Sequence, residues 1–181
     1  MIRTLILTVQ SSIIFSGNNP DIYNLKNINF KSRPTLEHIF PKCYMNKISY
    51  NDLHNIFKCN DEINNKRSNY KFSEFKNFED LERVLMTDNY ISIKNKVFIP
   101  EDESKGIISR SIMYIAYEYN LRYSKVIDTE NLIDWCLRYP PIESEIYHNN
   151  MVFNKQYKRN KFIDLYNKKN YKKYIKGLFK E

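Results

Sequence analysis

The side chains best suited to chemistry are concentrated in residues 36–70. Glu37 places a carboxylate directly beside the imidazole of His38, and an amide, Asn64, stands close to Arg67 later in the same stretch. Carboxylate and amide oxygens are hard ligands that Mg²⁺ accepts, leaving its other positions to water and phosphate. A neutral imidazole near pH 7 is suited to be a general base. The set could therefore hold one hard metal ion and activate one water.

Hydrolysis of a phosphodiester requires these same groups. The reaction needs a base for the attacking water, a cation for the charge that develops on the phosphate, and help for the leaving oxygen. One metal ion can serve the last two needs. Because successive side chains of a strand alternate, one member of the Glu37–His38 pair can face the metal while the other approaches from the side of the water. The residue types favour a phosphodiester-cleaving centre.

The elements that must position these groups are short. Residues 31–40 read as a strand or turn, since Pro34 and Pro41 on either side of the Glu-His pair prevent a helix there. Residues 50–56 read as a second extended stretch, and residues 61–69 read as a polar helix. This order of strand, loop, strand and helix is the skeleton of a small metal-binding finger.

The rest of the chain predicts one α+β domain over residues 1–164, followed by a basic aromatic tail over residues 165–181. The sequence contains no internal repeat and no Gly-rich linker, so it does not indicate a second hydrophobic core. Hydrophobic spacing predicts the remaining elements. They are a strand at 8–15, a helix at 74–86, a hairpin at 91–99, a long core helix from 101 to 119, and helices at 128–139 and 143–157.

Charge is distributed unevenly along the chain. All of the formal net charge of +8 lies in residues 155–181, where ten Lys and Arg face only Asp164 and Glu181, interleaved with aromatic residues. Basic side chains release counterions when they neutralise phosphates, and aromatic faces can stack on bases. The segment therefore favours a nucleic-acid partner, and a solvated basic helix or frayed tail is the alternative. The candidate contacts are Lys158, Arg159 and Lys161, with Lys42 and Lys47 nearer the Glu-His pair.

Cysteine usage and the N-terminus bear on location. Three widely spaced cysteines without a C-x-x-C pair favour neither a disulfide framework nor a zinc site, and they indicate a reducing compartment. The apolar run near the N-terminus is interrupted by Gln10 and two serines, and no run approaches the length of a membrane span. We expect an intracellular monomer, in host cytoplasm or nucleus if viral, without membrane contact; secretion is the alternative.

The chain resembles the endonuclease I family of ββα-metal (His-Me finger) nucleases. The matching segments are colinear over residues 36–164, and the last departs from the family where Tyr157 and Lys161 replace a Gly and a Pro. The segments are LEHIFPK (36–42), DLHNI (52–56), EINNKRSNY (62–70), SKGIISRSIMYIAYEYNL (104–121), LIDWCLRYPP (132–141) and NKQYKRNKFID (154–164).

The resemblance implies a mechanism. His38 occupies the place of the family's general base, and Glu37 and Asn64 occupy the places of its magnesium ligands, with Mn²⁺ or Ca²⁺ as possible substitutes. Members of the family cut DNA, and often RNA, with little sequence preference and leave 5′-phosphate ends. The fold implied is a ββα-metal finger embedded in a mostly helical domain.

The resemblance also assigns supporting roles. His54 looks like a hydrogen-bonding scaffold residue of the finger, and Arg67 and Asn69 match positions of the finger helix. Some members grip the scissile phosphate with an arginine that follows the His, but the corresponding loop here, residues 43–51, contains only Lys47 as a cation. The candidates for the catalytic phosphate clamp are Arg67, Arg110 and Lys42.

Two other interpretations compete with an active nuclease. One is a nucleic-acid-binding protein that keeps the fold without turnover, which retention of Glu37, His38 and Asn64 weakens. The other is an unrelated nuclease of the Asp…Glu-x-Lys type that uses Glu103 and Lys105, although acids at a helix start are explained by capping. A P-loop enzyme is excluded because the chain has only three glycines, far apart.

Overall fold

The computed structural model describes residues 20–25 and 34–180, so the predicted strand at residues 8–15 lies outside the described residues. Helices and small sheets are mixed, which agrees with the predicted α+β class. The strands are β1 (Pro34–His38), β2 (Ile56–Asn60), β3 (Lys71–Phe72), β4 (Leu81–Arg83), β5 (Tyr90–Ser92) and β6 (Val97–Ile99). The helices are α1 (Asp61–Arg67), α2 (Asp102–Tyr119), α3 (Thr129–Arg138), α4 (Glu143–Gln156), α5 (Lys161–Asp164) and α6 (Tyr171–Leu178).

Strands β1 and β2 form an antiparallel pair that leads directly into helix α1. His38 lies opposite Ile56, at the end of the pair that is farthest from α1. Asn60 ends β2 and caps α1, because its side chain accepts hydrogen bonds from the backbone N–H groups of Glu62 and Ile63. We call residues 34–67 the strand–strand–helix unit. Its order agrees with the predicted finger skeleton.

The segment between the two strands differs from the prediction. Residues 50–56 were expected to be extended, but two 3₁₀ turns, Ser49–Asn51 and Leu53–Asn55, occupy most of this stretch. The carboxylate of Asp52 accepts a hydrogen bond from the backbone N–H of His54 and so favours the second turn. The strand begins only at the last residue of the predicted stretch.

The second sheet has the order β3-β6-β5-β4 and includes a confirmed and a wrong prediction. The hairpin expected over residues 91–99 is formed by β5 and β6. The helix expected over residues 74–86 is absent, and β4 pairs with β5 instead. The Asp80 carboxylate accepts hydrogen bonds from the Ser92 hydroxyl and the Lys94 N–H, which hold this segment against the hairpin. These long-range bonds override the helical spacing of the apolar residues.

Helix α2 is the centre of the fold, as its apolar stripe predicted. Residues 104–116 are all buried. Asp102 and Glu103 complement the positive N-terminal end of the helix, and Asn120 ends it in the left-handed conformation with φ 51°. The largest fully buried side chain of α3 is Trp135, whose ring meets Phe72 of β3 edge-on at 6.5 Å. We call helices α2–α6 the helical layer, and Trp135 of α3 joins this layer to the second sheet.

Helix α4 ends at a turn where the chain departs from the family that it resembles. Tyr157 follows α4 with φ 55°, a left-handed conformation that favours glycine. The family has a glycine at this position. The turn therefore keeps a glycine-like geometry although a tyrosine occupies it.

Within the basic C-terminal segment, residues 171–178 form helix α6. Its apolar side chains Tyr171 and Ile175 are buried, and the ring of Phe179 lies 5.6 Å from that of Tyr123. The lysines of α6 are exposed. The segment is therefore anchored to the helical layer by one face, while the boundary placed at residue 164 stays a prediction.

Within residues 20–25 and 34–180, every helix is too short or too polar to span a membrane.

Candidate active site

One open pocket brings together the residues singled out by their chemistry. The end of β1 contributes Glu37 and His38, α1 contributes Asn64 and Arg67, and the turn that follows β1 contributes Lys42. The chain bends directly after His38, so both members of the Glu-His pair line the same pocket instead of opposite faces of a strand. The remaining lining residues are Leu36, Pro41, Cys43, Ser68 and Asn69.

The Glu37 carboxylate is buried and held through one of its oxygens. Its Oε1 accepts a hydrogen bond from the Tyr23 hydroxyl at 2.8 Å and lies 3.0 Å from Nη1 of Arg67. Burial raises the pKa of Glu37 above its usual range, although Arg67, Tyr23 and the backbone of His38 all act to lower it. A nearby cation would therefore favour the charged form of this carboxyl group.

The His38 imidazole is oriented by one of its two ring nitrogens. Its Nε2 lies 3.0 Å from the carbonyl oxygen of Tyr50. A carbonyl can only accept, so Nε2 carries the hydrogen and Nδ1 of the neutral ring is the acceptor. Burial, and secondarily the charge of Lys42, lowers the pKa of His38 to about 4. The ring is therefore neutral at pH 7 and can take a proton at Nδ1.

Asn64 provides the second oxygen. Its amide nitrogen donates a hydrogen bond to the carbonyl of Leu36 at 3.3 Å. Among residues 20–25 and 34–180, no donor to its Oδ1 is found. Within those ranges no group of three His, Cys, Asp or Glu side chains could hold a metal ion. Two hard oxygens, one from Glu37 and one from Asn64, nevertheless fit Mg²⁺, which keeps several waters and needs few protein ligands.

Arg67 is buried, and its contacts hold the chain around the pocket. Besides Glu37, its Nη1 donates to the carbonyl of His38 at 3.1 Å, and its Nη2 donates to that of Ile39 at 2.6 Å. The guanidinium also lies 4.5 Å from the ring centre of Phe72. Among the residues that the structure describes, Nε has no hydrogen-bond partner. Arg67 therefore fixes the backbone that follows β1, and its contacts leave little for a substrate phosphate.

Arg110 is elsewhere in the molecule. It is a candidate phosphate clamp by sequence, but it is completely buried and does not line the pocket. Its Nε and Nη2 donate to the two oxygens of Glu145 at 2.7 and 2.6 Å, and its Nη1 donates to the carbonyl of Tyr139 at 2.6 Å. These bonds join α2, α4 and the end of α3. The geometry gives Arg110 no access to a substrate.

The other two histidines are buried outside the pocket. Nε2 of His54 donates to the carbonyl of Lys158 at 3.0 Å, which agrees with the hydrogen-bonding role expected for it. Nε2 of His148 donates to the carbonyl of Leu53 at 3.0 Å, and its ring stacks on Phe57. Burial lowers the pKa of both imidazoles. They connect the strand–strand–helix unit to the helical layer.

The basic residues expected to contact nucleic acid divide into two groups. Lys42 is exposed at the rim of the pocket, and Lys47 is exposed but does not line it. The remaining three are engaged within the protein. Lys158 pairs with Glu118, Arg159 pairs with Asp164 at 2.7 Å, and the ammonium group of Lys161 lies over the ring of Tyr117.

The contacts of Lys105 do not favour a Glu-x-Lys centre. Its ammonium group lies 2.7 Å from Glu74 and 2.7 Å from Asp102, and 5.4 Å from the ring centre of Trp135. The side chain is almost completely buried. Its charge is therefore used inside the protein.

Tyr23 does not line the pocket but contacts Glu37 from beneath it, and the sequence did not indicate this contact. It is completely buried beneath the pocket and hydrogen bonds to Glu37, although it lies before every segment that resembles the family. No spacing or composition signal marks this tyrosine, because its contact with Glu37 depends on how residues 20–25 fold back on β2.

Comparisons with known proteins identify the family of this chain. The family model described as Endonuclease I matches residues 8–166. A curated protein named Endonuclease-1 from Buchnera aphidicola subsp. Baizongia pistaciae (strain Bp) is 30% identical over 112 residues, covering 62% of this chain and 45% of the relative. Another Endonuclease-1, from Buchnera aphidicola subsp. Acyrthosiphon pisum (strain APS), is 26% identical over 112 residues, covering 62% and 44%. The chain thus spans less than half the length of these relatives. Because the family match extends over most of its residues, the chain belongs to the endonuclease I family.

Proposed function

We propose that this protein is an endonuclease that hydrolyses phosphodiester bonds of DNA, and of RNA as a second substrate, with little sequence preference. The reaction depends on Mg²⁺ and leaves 5′-phosphate ends. One observation carries the proposal: Glu37, His38 and Asn64 line one open pocket, and the imidazole of His38 is held as a neutral base. Membership in the endonuclease I family supports it. We interpret the strand–strand–helix unit as a His-Me finger.

His38 is the proposed general base. Its Nε2–H is directed to the carbonyl of Tyr50, which fixes the tautomer and the orientation of the ring. Nδ1 then accepts the proton of the attacking water. Since the pKa of His38 is about 4, the ring is in the neutral form that the step requires throughout the neutral pH range.

Glu37 and Asn64 are the proposed ligands of a divalent cation, with Mg²⁺ as the natural ion and Mn²⁺ or Ca²⁺ as substitutes. When bound, the ion would neutralise charge that develops on the phosphate and assist the leaving oxygen. Glu37 supplies a charged oxygen from β1, and Asn64 supplies a neutral oxygen from α1. The two elements are held together by the backbone of the unit, so both oxygens face the same pocket.

Lys42 is the proposed contact to the scissile phosphate. Of the three candidates, Arg67 and Arg110 are buried and paired with carboxylates. Lys42 is exposed, lines the pocket, and forms no ion pair with any described residue. Its ammonium group lies 5.8 Å from the ring centre of Tyr50, whose carbonyl also orients His38. Lys42 can therefore meet a phosphate beside the base.

Digestion of plasmid DNA and total RNA tests this proposal. The purified protein is compared in Mg²⁺ and in EDTA with two variants, Glu37→Gln and Asn64→Ala, and with Asn65→Ala as the control. Asn65 is the next residue of α1 and is exposed. We expect metal-dependent cleavage that falls by about 10-fold to 100-fold or more in Glu37→Gln and Asn64→Ala, and that is unchanged in Asn65→Ala.

Two results would contradict the proposal. Equal cleavage in Mg²⁺ and EDTA would remove the metal dependence, and unchanged cleavage by both Glu37→Gln and Asn64→Ala would remove the assigned ligands. Binding to nucleic acid without cleavage in any divalent metal would instead support the competing interpretation, a binding protein that retains the nuclease fold.

A further inference from the structure

Tyr23 connects an otherwise separate segment to the proposed metal ligand. Residues 20–25 lie along β2, where the backbone N–H of Ile22 donates to the carbonyl of Lys58 at 2.8 Å. This places the completely buried ring of Tyr23 beneath the pocket, where its hydroxyl donates to Oε1 of Glu37 at 2.8 Å. The contact joins residues that are 14 positions apart in the chain.

Both side chains that hold Glu37 bind the same oxygen. The Tyr23 hydroxyl and Nη1 of Arg67 each approach Oε1, and neither distance exceeds 3.0 Å. Because both contacts are made to Oε1, rotation of the carboxylate would break at least one of them. Among residues 20–25 and 34–180 no side chain is found to hydrogen bond Oε2, so this is the oxygen left to meet a cation in the pocket that Glu37 lines.

The ring of Tyr23 does not need its hydroxyl in order to pack. Its centre lies 4.9 Å from that of Phe98 and 6.4 Å from that of Phe72, so the aromatic group is already held in the core. A buried hydroxyl without a partner is costly, and the partner used here is the carboxylate of Glu37. The specific contribution of the hydroxyl is therefore to the orientation of Glu37.

We propose that Tyr23 and Arg67 are positioning residues that fix the Glu37 carboxylate through Oε1 and so present Oε2 to a divalent cation. This inference rests on the proposed function, because it takes Glu37 as a metal ligand, and deepens it by naming the groups that orient this ligand. Side chains that orient a metal ligand typically contribute 10-fold to 100-fold in metal affinity or activity.

Manganese binding to the full chain, without nucleic acid, tests the proposal. The electron paramagnetic resonance signal of free Mn²⁺ gives the dissociation constant directly. We expect Tyr23→Phe, which removes only the hydroxyl, to bind Mn²⁺ about 10-fold more weakly. The matched control is Tyr114→Phe, because Tyr114 is also buried and also donates its hydroxyl to a carboxylate, Asp52, at 3.1 Å, but outside the pocket. Its Mn²⁺ affinity should equal that of the parent.

Cleavage measured against Mg²⁺ concentration separates positioning from a merely structural role. If Tyr23 acts on metal occupancy, raising Mg²⁺ restores the rate of Tyr23→Phe to near the parent value. A general loss of structure would lower the rate at every Mg²⁺ concentration. Arg67→Lys, which keeps the charge but lacks the two-pronged donor, is the second variant and should show the same restorable decrease.

The outcomes distinguish this inference from the function on which it rests. Unchanged Mn²⁺ affinity in folded Tyr23→Phe or, where that variant does not fold, in Arg67→Lys would overturn the positioning role, as would a rate that Mg²⁺ does not restore. Glu37→Gln is measured in the same assay. Mn²⁺ binding that is absent in the parent, or that survives Glu37→Gln, would overturn the metal site itself and with it this inference.

Discussion

Two buried arginines show how the strand–strand–helix unit differs from the helical layer. Arg67 of α1 and Arg110 of α2 are both almost inaccessible, both pair with a buried glutamate, and both donate to backbone carbonyls. Each guanidinium also lies near an aromatic ring. By chemistry alone the two sites are nearly the same.

The difference lies in how each glutamate is held. Arg110 meets both oxygens of Glu145, and this pair does not line the pocket that contains Glu37. Arg67 approaches Glu37 at Oε1, 3.0 Å from Nη1, in that pocket, and no bidentate hydrogen bonding joins these two described side chains. Bidentate pairing uses up the carboxylate, whereas one-sided pairing leaves an oxygen for another partner. Two similar buried ion pairs therefore differ in that one uses both oxygens of its carboxylate and the other lies in a pocket, where we propose that the carboxylate binds a cation.

The largest expected effect on stability comes from breaking the structural pair. Glu145→Ala leaves the charge of Arg110 buried and unpaired, which should lower the free energy of unfolding by about 3–5 kcal/mol. The control is Glu143→Ala, an exposed residue of the same helix, with an expected change within about 0.5 kcal/mol. Urea denaturation measures both. Equal stabilities of the two variants would contradict a structural role for the Arg110 pair.

The dependence of stability on pH tests the burial of His148, a histidine of the helical layer. Burial lowers the pKa of His148 to about 4, whereas the ring in the unfolded chain titrates near about 6.5. As pH falls below about 6.5 the unfolded state takes up the proton first, so stability falls until about pH 4 and this histidine costs roughly 3 kcal/mol there.

His148→Gln removes this titration. Because His38 and His54 also have lowered pKa values, the measured quantity is the difference between the pH–stability curves of the parent and His148→Gln. We expect the free energy of unfolding of the parent, relative to that of His148→Gln, to decrease as pH falls from about 6.5 to about 4. Parallel curves over this range would show that the burial of His148 is not linked to its charge.

The next smaller effect separates two lysines that both lie between β1 and β2. Lys42 lines the pocket and Lys47 does not, although both are exposed. A hydrogen bond to a charged group contributes about 1.5–3 kcal/mol. Lys42→Ala should therefore lower cleavage at saturating Mg²⁺ by about 10-fold or more, with Lys47→Ala near the parent rate. Equal rates for the two variants would remove Lys42 as the phosphate contact.

The smallest expected effect concerns the basic C-terminal segment. Since buried side chains of α6 anchor this segment, the charge of the segment is better tested by substitution than by deletion. Replacing exposed Lys168, Lys169 and Lys173 with Gln should reduce the slope of log affinity against log salt by up to about 0.9 for each phosphate that is no longer neutralised. The control is a double variant in which Gln replaces Lys94 and Lys96, two exposed lysines of the β5–β6 turn. An unchanged slope in the triple variant would mean that the segment faces away from nucleic acid.

The sequence could predict the pocket residues and the longer helices. Glu37, His38 and Asn64 are indicated by residue type and by their place in a strand–strand–helix order, and they do line one pocket. Their roles as ligands and base stay predictions. Helix α2 was predictable because its apolar spacing is long and begins with acidic residues.

Interactions that depend on distant parts of the chain could not be predicted. Residues 74–86 have helical spacing, but Asp80 is bound by the β5–β6 hairpin. Arg110 is a candidate phosphate clamp by sequence, but it is bound by Glu145, 35 residues away. Tyr23 carries no signal at all. Each case was decided by a side chain whose partner is far away in sequence.

The central claim is that one pocket, and within it one imidazole, performs the chemistry. His38, His54 and His148 are all buried, and each directs Nε2 to a backbone carbonyl, but only His38 lines the pocket. The most direct test is single-turnover cleavage of supercoiled plasmid in Mg²⁺, expressed per folded molecule, for an alanine variant at each histidine. We expect His38→Ala to cleave about 10²-fold or more slowly with unchanged DNA affinity, while the other two variants cleave like the parent. Cleavage by His38→Ala at the parent rate, or an equal decrease in all three variants, would contradict the claim.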